Sequence, residues 1–216
     1  MLKQLLLCLS LTASASTFAL PKGFVYLNDI DPSIKQEMRY AGNHNFMGRP
    51  FKGYETSQCI LTQEAAESLA KIQAELHKSG LSLKVYDCYR PQMAVDDIIA
   101  WSKVPELQTM KAEFYPNVNK ADFFTLGYVA EKSGHTRGST IDLTIADMDM
   151  GSAYDLLDPK SGVMNPHRLL LRNIMIKYGF NPYEKEWWHF TLKNEPYPET
   201  YFNFPIIPPQ RNFSSK

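Results

Sequence analysis

The segment Ser133–Asp142 of this chain reads SGHTRGSTID, and a segment far downstream, Glu186–His189, reads EWWH. Together they supply two imidazoles, from His135 and His189, and the carboxylate of Asp142. Nitrogen and oxygen ligands of this kind suit zinc, and three protein ligands leave a fourth tetrahedral position for water. An open position is typical of a catalytic site, because structural sites are closed by four protein ligands. The two segments therefore predict a catalytic zinc site.

The spacing of the ligands is compatible with one shared ion. His135 and Asp142 are seven residues apart, and Gly138 between them allows the chain to turn back. A loop residue and a strand residue could then bind one metal, while His189 comes from a different strand. Taken separately, His135 could be a surface loop residue and His189 a buried, hydrogen-bonded strand histidine. Their combination with Glu186 and an arginine favours the metal site.

Two further side chains complete the predicted chemistry. Glu186 lies three residues before His189, so it is placed to act as a base on the zinc-bound water. Residues three apart face opposite sides of a straight strand, so Glu186 must lie at the mouth of its strand or in a short helical turn. Arg90 follows a predicted strand, and its permanent charge suits a developing oxyanion. The alternatives are a solvated carboxylate for Glu186, and for Arg90 a salt bridge to Asp87 or Asp96.

Length and charge limit the class of protein. The chain has 216 residues, with 23 basic and 23 acidic side chains. This balance gives no electrostatic footprint for nucleic acid or an anionic membrane surface, so we expect no nucleic-acid partner. The chain is long enough for one domain with a sizeable core, and it contains no internal repeat or flexible linker. We therefore assign residues 20–216 to a single domain.

Residues 1–19 are typical of a secretory signal peptide. A basic start at Lys3 precedes the apolar run Leu5–Leu11, and small residues follow. That run is too short to span a bilayer as a stable helix, and no other stretch of the chain is long enough. We predict cleavage near residues 15–19 and export of the mature protein. The favoured destination is the periplasm, and the alternative is secretion.

Removal of the signal leaves two cysteines, Cys59 and Cys88. An even pair in an exported protein indicates one disulfide, which would stabilise the fold by about 3–4 kcal/mol on the chain-entropy model. The alternative is two buried free thiols.

The pattern of apolar residues indicates mixed secondary structure. Helices are predicted at Thr62–Ser79 with Thr62 as N-cap, Gln92–Trp101 and His167–Tyr178. Strands are predicted at Leu81–Asp87, Thr140–Ile145 and Glu186–Leu192. The tail from Asn194 is rich in proline and aromatic residues and is expected to lie over the surface. Because βαβ regularity is absent, we predict an α+β fold, a single compact domain with a small, mainly antiparallel sheet flanked by helices.

Five blocks of sequence, taken together, are typical of a known family. They are Met38–Ala41 with Asn45–Phe46, Val85–Pro91, Ser133–Ser139 through Asp142–Thr144, Met150–Asp155, and Glu186–His189. In these blocks the chain resembles the D-alanyl-D-alanine dipeptidases, the VanX-type zinc enzymes, over most of its mature length. The broader superfamily includes D,D-carboxypeptidases and endopeptidases of peptidoglycan and the hedgehog signalling domain, which share the zinc ligands and the fold.

The resemblance implies a role for each site residue. One Zn²⁺ per chain would be bound by His135, Asp142 and His189, with Glu186 as general base and then acid. Arg90 would stabilise the tetrahedral intermediate. The substrate would be D-Ala-D-Ala, hydrolysed to two D-alanines.

Two further positions match those that hold the zwitterionic dipeptide, Ser133 and Asp155, with Asp155 near the ammonium group. The loop Ala146–Asp149 is shorter than in the resistance-associated members, which affects the expected fine specificity and not the metal site.

One alternative is a D,D-carboxypeptidase or endopeptidase that acts on peptidoglycan stem peptides. The other is a zinc-stabilised binding module without turnover. The sequence gives no prediction of the oligomeric state.

Overall fold

The computed structural model describes residues 19–209, so the predicted signal segment up to residue 18 lies outside the described part. The helices are α1 (Leu27–Ile30), α2 (Gln63–His77), α3 (Gln92–Ser102), α4 (Lys111–Phe114), α5 (Phe123–Leu126) and α6 (Pro166–Lys177). The strands are β1 (Phe24–Tyr26), β2 (Lys35–Gln36), β3 (Ile60–Thr62), β4 (Leu83–Asp87), β5 (Thr140–Ile145), β6 (Phe180–Tyr183) and β7 (Glu186–Leu192). None of the helices in residues 19–209 has the length and apolar character that crossing a membrane would require.

A five-stranded sheet forms the centre of the fold, in the order β2-β4-β5-β7-β6, and β1 pairs with β3 in a separate two-stranded sheet. The short β2 runs parallel to β4, and every other pairing is antiparallel. The predicted α+β fold with a small, mainly antiparallel sheet is therefore confirmed. β5 is the central strand, and all six of its residues are buried. A strand buried on both faces gives a rigid platform for side chains at its ends.

The three long helices follow the predicted bounds within a few residues. Helix α2 begins at Gln63, and Thr62, which is also the last residue of β3, lies at the predicted N-cap position. Thr62 has the extended backbone of an N-cap, but its hydroxyl lies 2.7 Å from that of Ser139 and not on the helix. This side chain thus ties the start of α2 to the turn before β5.

Buried apolar side chains form two clusters. The first joins β4, β5 and β7 to helices α2 and α6, with Leu69, Ile141 and Trp188 among its members. The second is mainly aromatic and lies around Tyr89 and Trp101. We call them the sheet cluster and the aromatic cluster.

The tail after Asn194 does more than lie over the surface, so that prediction was wrong in one respect. Ile206 is fully buried in the aromatic cluster, and its backbone N–H donates to Gly53 O at 2.7 Å. Near the other end of the described chain, Tyr26 donates its hydroxyl proton to Ile207 O at 3.0 Å. The proline content disfavours a regular strand in the tail, and Ile206 forms only an isolated parallel bridge with Tyr54 while its side chain packs in the aromatic cluster.

The predicted disulfide between Cys59 and Cys88 is present, with Cα atoms 5.3 Å apart. It joins the residue before β3 to the residue after β4, and both cysteines are fully buried. The segment that carries Arg90 is therefore cross-linked one residue beyond the end of its strand.

Candidate metal centre and substrate cavity

Three elements bring the predicted ligands together. His135 lies in a 3-10 turn, Gly134–Arg137, while Asp142 and His189 are direct cross-strand partners on β5 and β7. The turn ends at Gly138, whose φ of 86° belongs to the left-handed region. A Cβ there would lie 2.3 Å from a ring carbon of Phe24, so glycine is required both by the backbone and by the space.

The three ligand atoms form a nearly equilateral triangle. Asp142 Oδ1 lies 3.2 Å from His135 Nε2 and 3.0 Å from His189 Nδ1, and the two imidazole nitrogens are 3.3 Å apart. Zinc bonds of about 2.0–2.1 Å at tetrahedral angles place neighbouring ligands about 3.3 Å apart. Asp142 Oδ1 is buried and accepts no hydrogen bond of good geometry from any residue in 19–209. The site therefore fits a tetrahedral cation.

Outer contacts fix the orientation of two ligands. His135 donates its Nδ1–H to Cys88 O at 2.8 Å, which leaves the Nε2 lone pair free to bind a metal. Asp142 accepts a hydrogen bond from the Tyr154 hydroxyl on Oδ2 at 3.1 Å, so that Oδ1 faces the imidazoles. Although burial raises the pKa of Asp142, His135 and His189 hold it well below the usual range. The carboxylate is thus ionised whenever a metal could bind.

A bulge in β7 settles where Glu186 lies. On β6 the partners are Tyr183 for Glu186 and Pro182 for Phe190, so the three residues Trp187–His189 oppose no residue of β6. These extra residues break the alternation of sides, which brings Glu186 Oε2 within 3.5 Å of His189 Nδ1. Of the two arrangements open from the sequence, the strand-mouth position is the one found.

Burial raises the pKa of the Glu186 carboxyl to about 7; His189 lowers it in part and Asp142 raises it further. A carboxyl group poised near neutral pH can both take and give a proton.

Arg90 points at the same place, and it also makes the salt bridge that was the alternative for it. Its Nε and Nη2 donate to Asp87 Oδ2 at 3.0 and 2.9 Å, and Nη2 is 3.9 Å from Asp142 Oδ2. The guanidinium carbon lies 5.0 Å from the centre of the Tyr40 ring. The ion pair with Asp87 therefore orients Arg90 toward the metal ligands. Asp96 takes no part in this arrangement and accepts a hydrogen bond from Gln92.

Asp87 was not predicted as a site residue, although it links several parts of the site. It is fully buried, accepts a hydrogen bond from the Tyr54 hydroxyl at 2.6 Å, and lies 3.4 Å from His135 Nδ1. The register of β4 against β5 shifts between Val85 and Asp87, which places Asp87 opposite Asp142. An aspartate that ends a buried strand is the one sequence signal that could have indicated it.

A cavity of about 280 Å³ contains the whole constellation. Its volume lies just below the range of about 300–1,000 Å³ for drug-sized ligands, so it suits a small substrate. Apolar side chains, Phe46, Ile98 and Leu157 among them, also line it. All seven predicted catalytic, metal-binding and substrate-binding residues line the cavity: Arg90, Ser133, His135, Asp142, Asp155, Glu186 and His189.

The two predicted substrate-binding residues, Asp155 and Ser133, differ in the hydrogen bonds that they make within the protein. Asp155 is buried with a left-handed φ of 67°, and its Oδ1 accepts a hydrogen bond from the Tyr40 hydroxyl at 3.0 Å. Its Oδ2 is buried without a hydrogen-bond partner in residues 19–209. Burial, followed by the charge of Asp142, raises the pKa of Asp155 well above the usual range. Ser133 accepts the His135 backbone N–H at 3.3 Å and keeps its own hydroxyl proton for another partner.

Comparison with known proteins places these features in a family. Residues 21–207 match the Peptidase_M15 family, described as D-ala-D-ala dipeptidase. The D-alanyl-D-alanine dipeptidase of Enterococcus faecalis (strain ATCC 700802 / V583) is 40% identical over 198 residues, which cover 85% of this chain and 98% of that protein. The enzyme of the same name from Streptomyces coelicolor (strain ATCC BAA-471 / A3(2) / M145) is 40% identical over 197 residues, with coverage of 85% and 98%.

Among solved structures, the vancomycin-resistance D,D-pentapeptidase VanY in complex with Zn(II) is similar at a TM-score of 0.43 and 17% identity. That match covers 64% of this chain and 76% of VanY.

Proposed function

The chain belongs to the Peptidase_M15 family of D-Ala-D-Ala dipeptidases, and on that premise we propose that it hydrolyses D-Ala-D-Ala to two D-alanines with one bound zinc ion. One observation carries the proposal. The triangle of His135, Asp142 and His189, with its unpartnered Asp142 oxygen, shares a small cavity with the carboxyl group of Glu186. A binding module without turnover would have no use for a proton-transfer group at that position.

His135, Asp142 and His189 are the residues that would hold the ion. Zinc there supplies a Lewis acid for the peptide carbonyl and lowers the pKa of water. We propose one ion per chain, and the single group of three such ligands in residues 19–209 supports this number.

Glu186 moves the proton. Its carboxylate removes a proton from the attacking water, and the same carboxyl group then protonates the amine nitrogen of the departing D-alanine. The bulge that turns Glu186 toward His189 places it beside the ligands. In the metal-free protein, burial raises the pKa of this carboxyl group to about 7, which supports a group that both takes and gives a proton near neutral pH.

Arg90 supports the negative charge that develops on the carbonyl oxygen. The guanidinium keeps its proton at all relevant pH values, and its two hydrogen bonds to Asp87 hold it before substrate arrives. A charge that is already oriented needs no rearrangement during the reaction.

Asp155 and Ser133 would recognise the ends of the dipeptide. The free Oδ2 of Asp155 is a buried acceptor that a substrate ammonium group would satisfy. The hydroxyl of Ser133 can donate to an oxygen of the same dipeptide. A peptide without the free ammonium would leave Asp155 buried and unpaired, so we propose that such substrates are rejected.

The test of the proposed function is Glu186→Gln, with Glu184→Gln as the matched control two residues away in the exposed hairpin turn. We expect Glu186→Gln to retain stoichiometric zinc by elemental analysis while D-alanine release falls about 100- to 10,000-fold. The control should keep both. Near-normal turnover in purified Glu186→Gln would contradict the mechanism.

The same assay separates the dipeptidase from its relatives of wider specificity. A pentapeptide ending in D-Ala-D-Ala and the dipeptide L-Ala-L-Ala are offered beside D-Ala-D-Ala. We expect cleavage of D-Ala-D-Ala alone. Cleavage of the pentapeptide would assign the protein to the carboxypeptidases of peptidoglycan stem peptides, and cleavage of no substrate would favour the binding module.

We also propose that the protein is exported with removal of residues 1–19, and that the periplasm is its favoured destination. The basic start followed by an apolar run supports this, and the Cys59–Cys88 disulfide suits an oxidising compartment. Mass spectrometry of the protein from fractionated cells tests the export. Recovery of the full-length, uncleaved chain in the cytoplasmic fraction would contradict it.

A further inference from the structure

Arg168 on α6 is a buried arginine, with 3% of its surface exposed. Its guanidinium donates to three carbonyl oxygens and one hydroxyl, and no carboxylate in residues 19–209 lies within salt-bridge distance of it. A buried positive charge without a negative partner is costly unless its donors are satisfied. The proposed mechanism does not use this residue, so its four hydrogen bonds need another explanation.

The acceptors lie at both ends of one loop. At the first end, Nε donates to Met150 O at 2.6 Å and Nη2 donates to Ser152 Oγ at 2.5 Å. At the second end, Nη1 donates to Lys160 O at 2.7 Å and to Val163 O at 2.5 Å. One planar group therefore clamps the start and the end of the loop 150–163.

The centre of that loop supplies two groups to the site. Tyr154 donates its hydroxyl proton to the ligand Asp142, and the next residue, Asp155, presents an unpartnered oxygen in the cavity. Asp155 has a left-handed backbone, a conformation that is uncommon for a non-glycine residue although aspartate adopts it more readily than most. A loop that is fixed at both ends can impose it.

The clamp also reaches the strand that carries Glu186. Trp187 donates its indole N–H to Ser152 Oγ at 3.2 Å, the same oxygen that Arg168 contacts. The Arg168 guanidinium carbon lies 5.6 Å from the centre of the Trp187 ring. The loop is thus held against the first residues of β7 as well as against α6.

We propose that Arg168 is a positioning residue for substrate binding: by tying both ends of the loop 150–163, it holds the Asp155 carboxylate where the dipeptide's ammonium group binds. This rests on the proposed role of Asp155. Lysine can replace Arg168 only in part, because an ammonium on a flexible stem lacks the fixed geometry with which a guanidinium contacts acceptors at both loop ends.

The experiment is a double-mutant cycle with Arg168→Met and Asp155→Asn on zinc-loaded enzyme, with kcat and KM measured for D-Ala-D-Ala. Arg172→Met is the matched control: it lies one turn along the same helix, and its partner Glu184 is exposed. Arg168→Lys is the second variant in case Arg168→Met does not fold, and circular dichroism verifies folding of each.

We expect Arg168→Met to lower kcat/KM about 10- to 100-fold, mostly through KM, while Arg172→Met remains near wild type. The double variant should be no worse than Asp155→Asn, because the loop then has no carboxylate left to position. Arg168→Lys should give a partial loss of the same kind.

Three results would overturn the inference, and they differ in what else they affect. If Asp155→Asn is impaired but the two losses multiply in the double variant, Arg168 acts independently of Asp155 and only this inference fails. If Asp155→Asn binds the dipeptide as tightly as wild type, the proposed role of Asp155 fails and this inference fails with it. Wild-type kinetics in folded Arg168→Met would also contradict it.

Discussion

Tyr154 and Asp155 are neighbours in the chain, yet they act on different parts of the site. Tyr154 donates to the metal ligand Asp142, while Asp155 accepts from Tyr40 and presents its other oxygen in the cavity. The left-handed backbone at Asp155 accompanies this change of direction. Two adjacent residues of the chain therefore connect the proposed metal site with the proposed substrate-binding group.

Tyr154→Phe tests the first of these connections. The change removes the hydroxyl that orients Asp142 and keeps the ring, which stacks on Tyr86 at 4.3 Å. We expect zinc affinity to fall about 10- to 100-fold, since outer partners of metal ligands have effects of that size. Competition with a chromogenic chelator measures it. Unchanged affinity would show that Asp142 is oriented without Tyr154.

Glu186 gives a pH dependence to the stability of the metal-free protein. Burial raises the pKa of its carboxyl from 4.5 to about 7, so between these values the folded state keeps a proton that the unfolded state has released. The free energy of unfolding must then decrease as pH rises through this window, by an amount on the order of 3 kcal/mol. Below a pH of about 4.5 and above a pH of about 7, the contribution of Glu186 to the free energy of unfolding does not change with pH.

Denaturant unfolding of metal-free wild type and Glu186→Gln from pH 4 to 8 measures this contribution. We expect the wild type to lose stability relative to Glu186→Gln as pH rises from about 4.5 to 7. Parallel pH profiles for the two proteins would contradict a raised pKa for Glu186.

Residue type predicts some members of the site and not others. Histidine and aspartate at metal-ligand spacing indicate their chemistry directly, so His135, Asp142 and His189 could be proposed from the sequence. Asp87 and Tyr154 act through hydrogen bonds to other residues, and the partners become neighbours only in the folded chain. The position of Asp87 at the end of a buried strand is a weak signal, and the type of residue at Tyr154 does not indicate which partner it contacts.

At the scale of elements, long helices and the central strand were predictable because their apolar periods are regular. The bulge in β7 was not, since three residues without partners on β6 depend on how two strands align in the fold. The only sequence sign of the bulge is the pair of successive aromatic residues Trp187 and Trp188, which are both buried. A straight strand that is buried on both faces would show the same pattern.

The tail is an element whose contribution to stability can be measured. Ile206 is fully buried against the aromatic cluster, whereas Ile207 is only half-buried. We expect Ile206→Ala to lower the free energy of unfolding by about 2–4 kcal/mol, from lost burial and the cavity left behind. Ile207→Ala is the matched control and should cost clearly less. Equal, small losses would indicate that the tail only covers the surface.

At the scale of the whole molecule, the cavity lies where the two clusters meet. Trp188 of the sheet cluster and Tyr40 of the aromatic cluster both line it. Neither cluster needs the metal ligands for its apolar contacts. The position of this junction was not predictable, because it depends on contacts between segments that are distant in the sequence.

Metal removal should therefore abolish activity without unfolding the chain. We expect dialysis against a chelator to stop D-alanine release, while far-UV circular dichroism and a cooperative thermal transition remain, and zinc to restore activity. Loss of the folded signal on chelation would instead indicate a structural zinc, as in a zinc-stabilised binding module.

The tail also brings the two ends of the described chain together. Tyr197 donates its hydroxyl proton to Lys22 O at 2.8 Å, and Tyr26 donates to Ile207 O at 3.0 Å. The site therefore does not depend on which segment of the chain comes first. A circular permutation that joins these ends through a short linker and opens the chain at the exposed turn of Gly80 would leave every ligand and its supporting contacts in place.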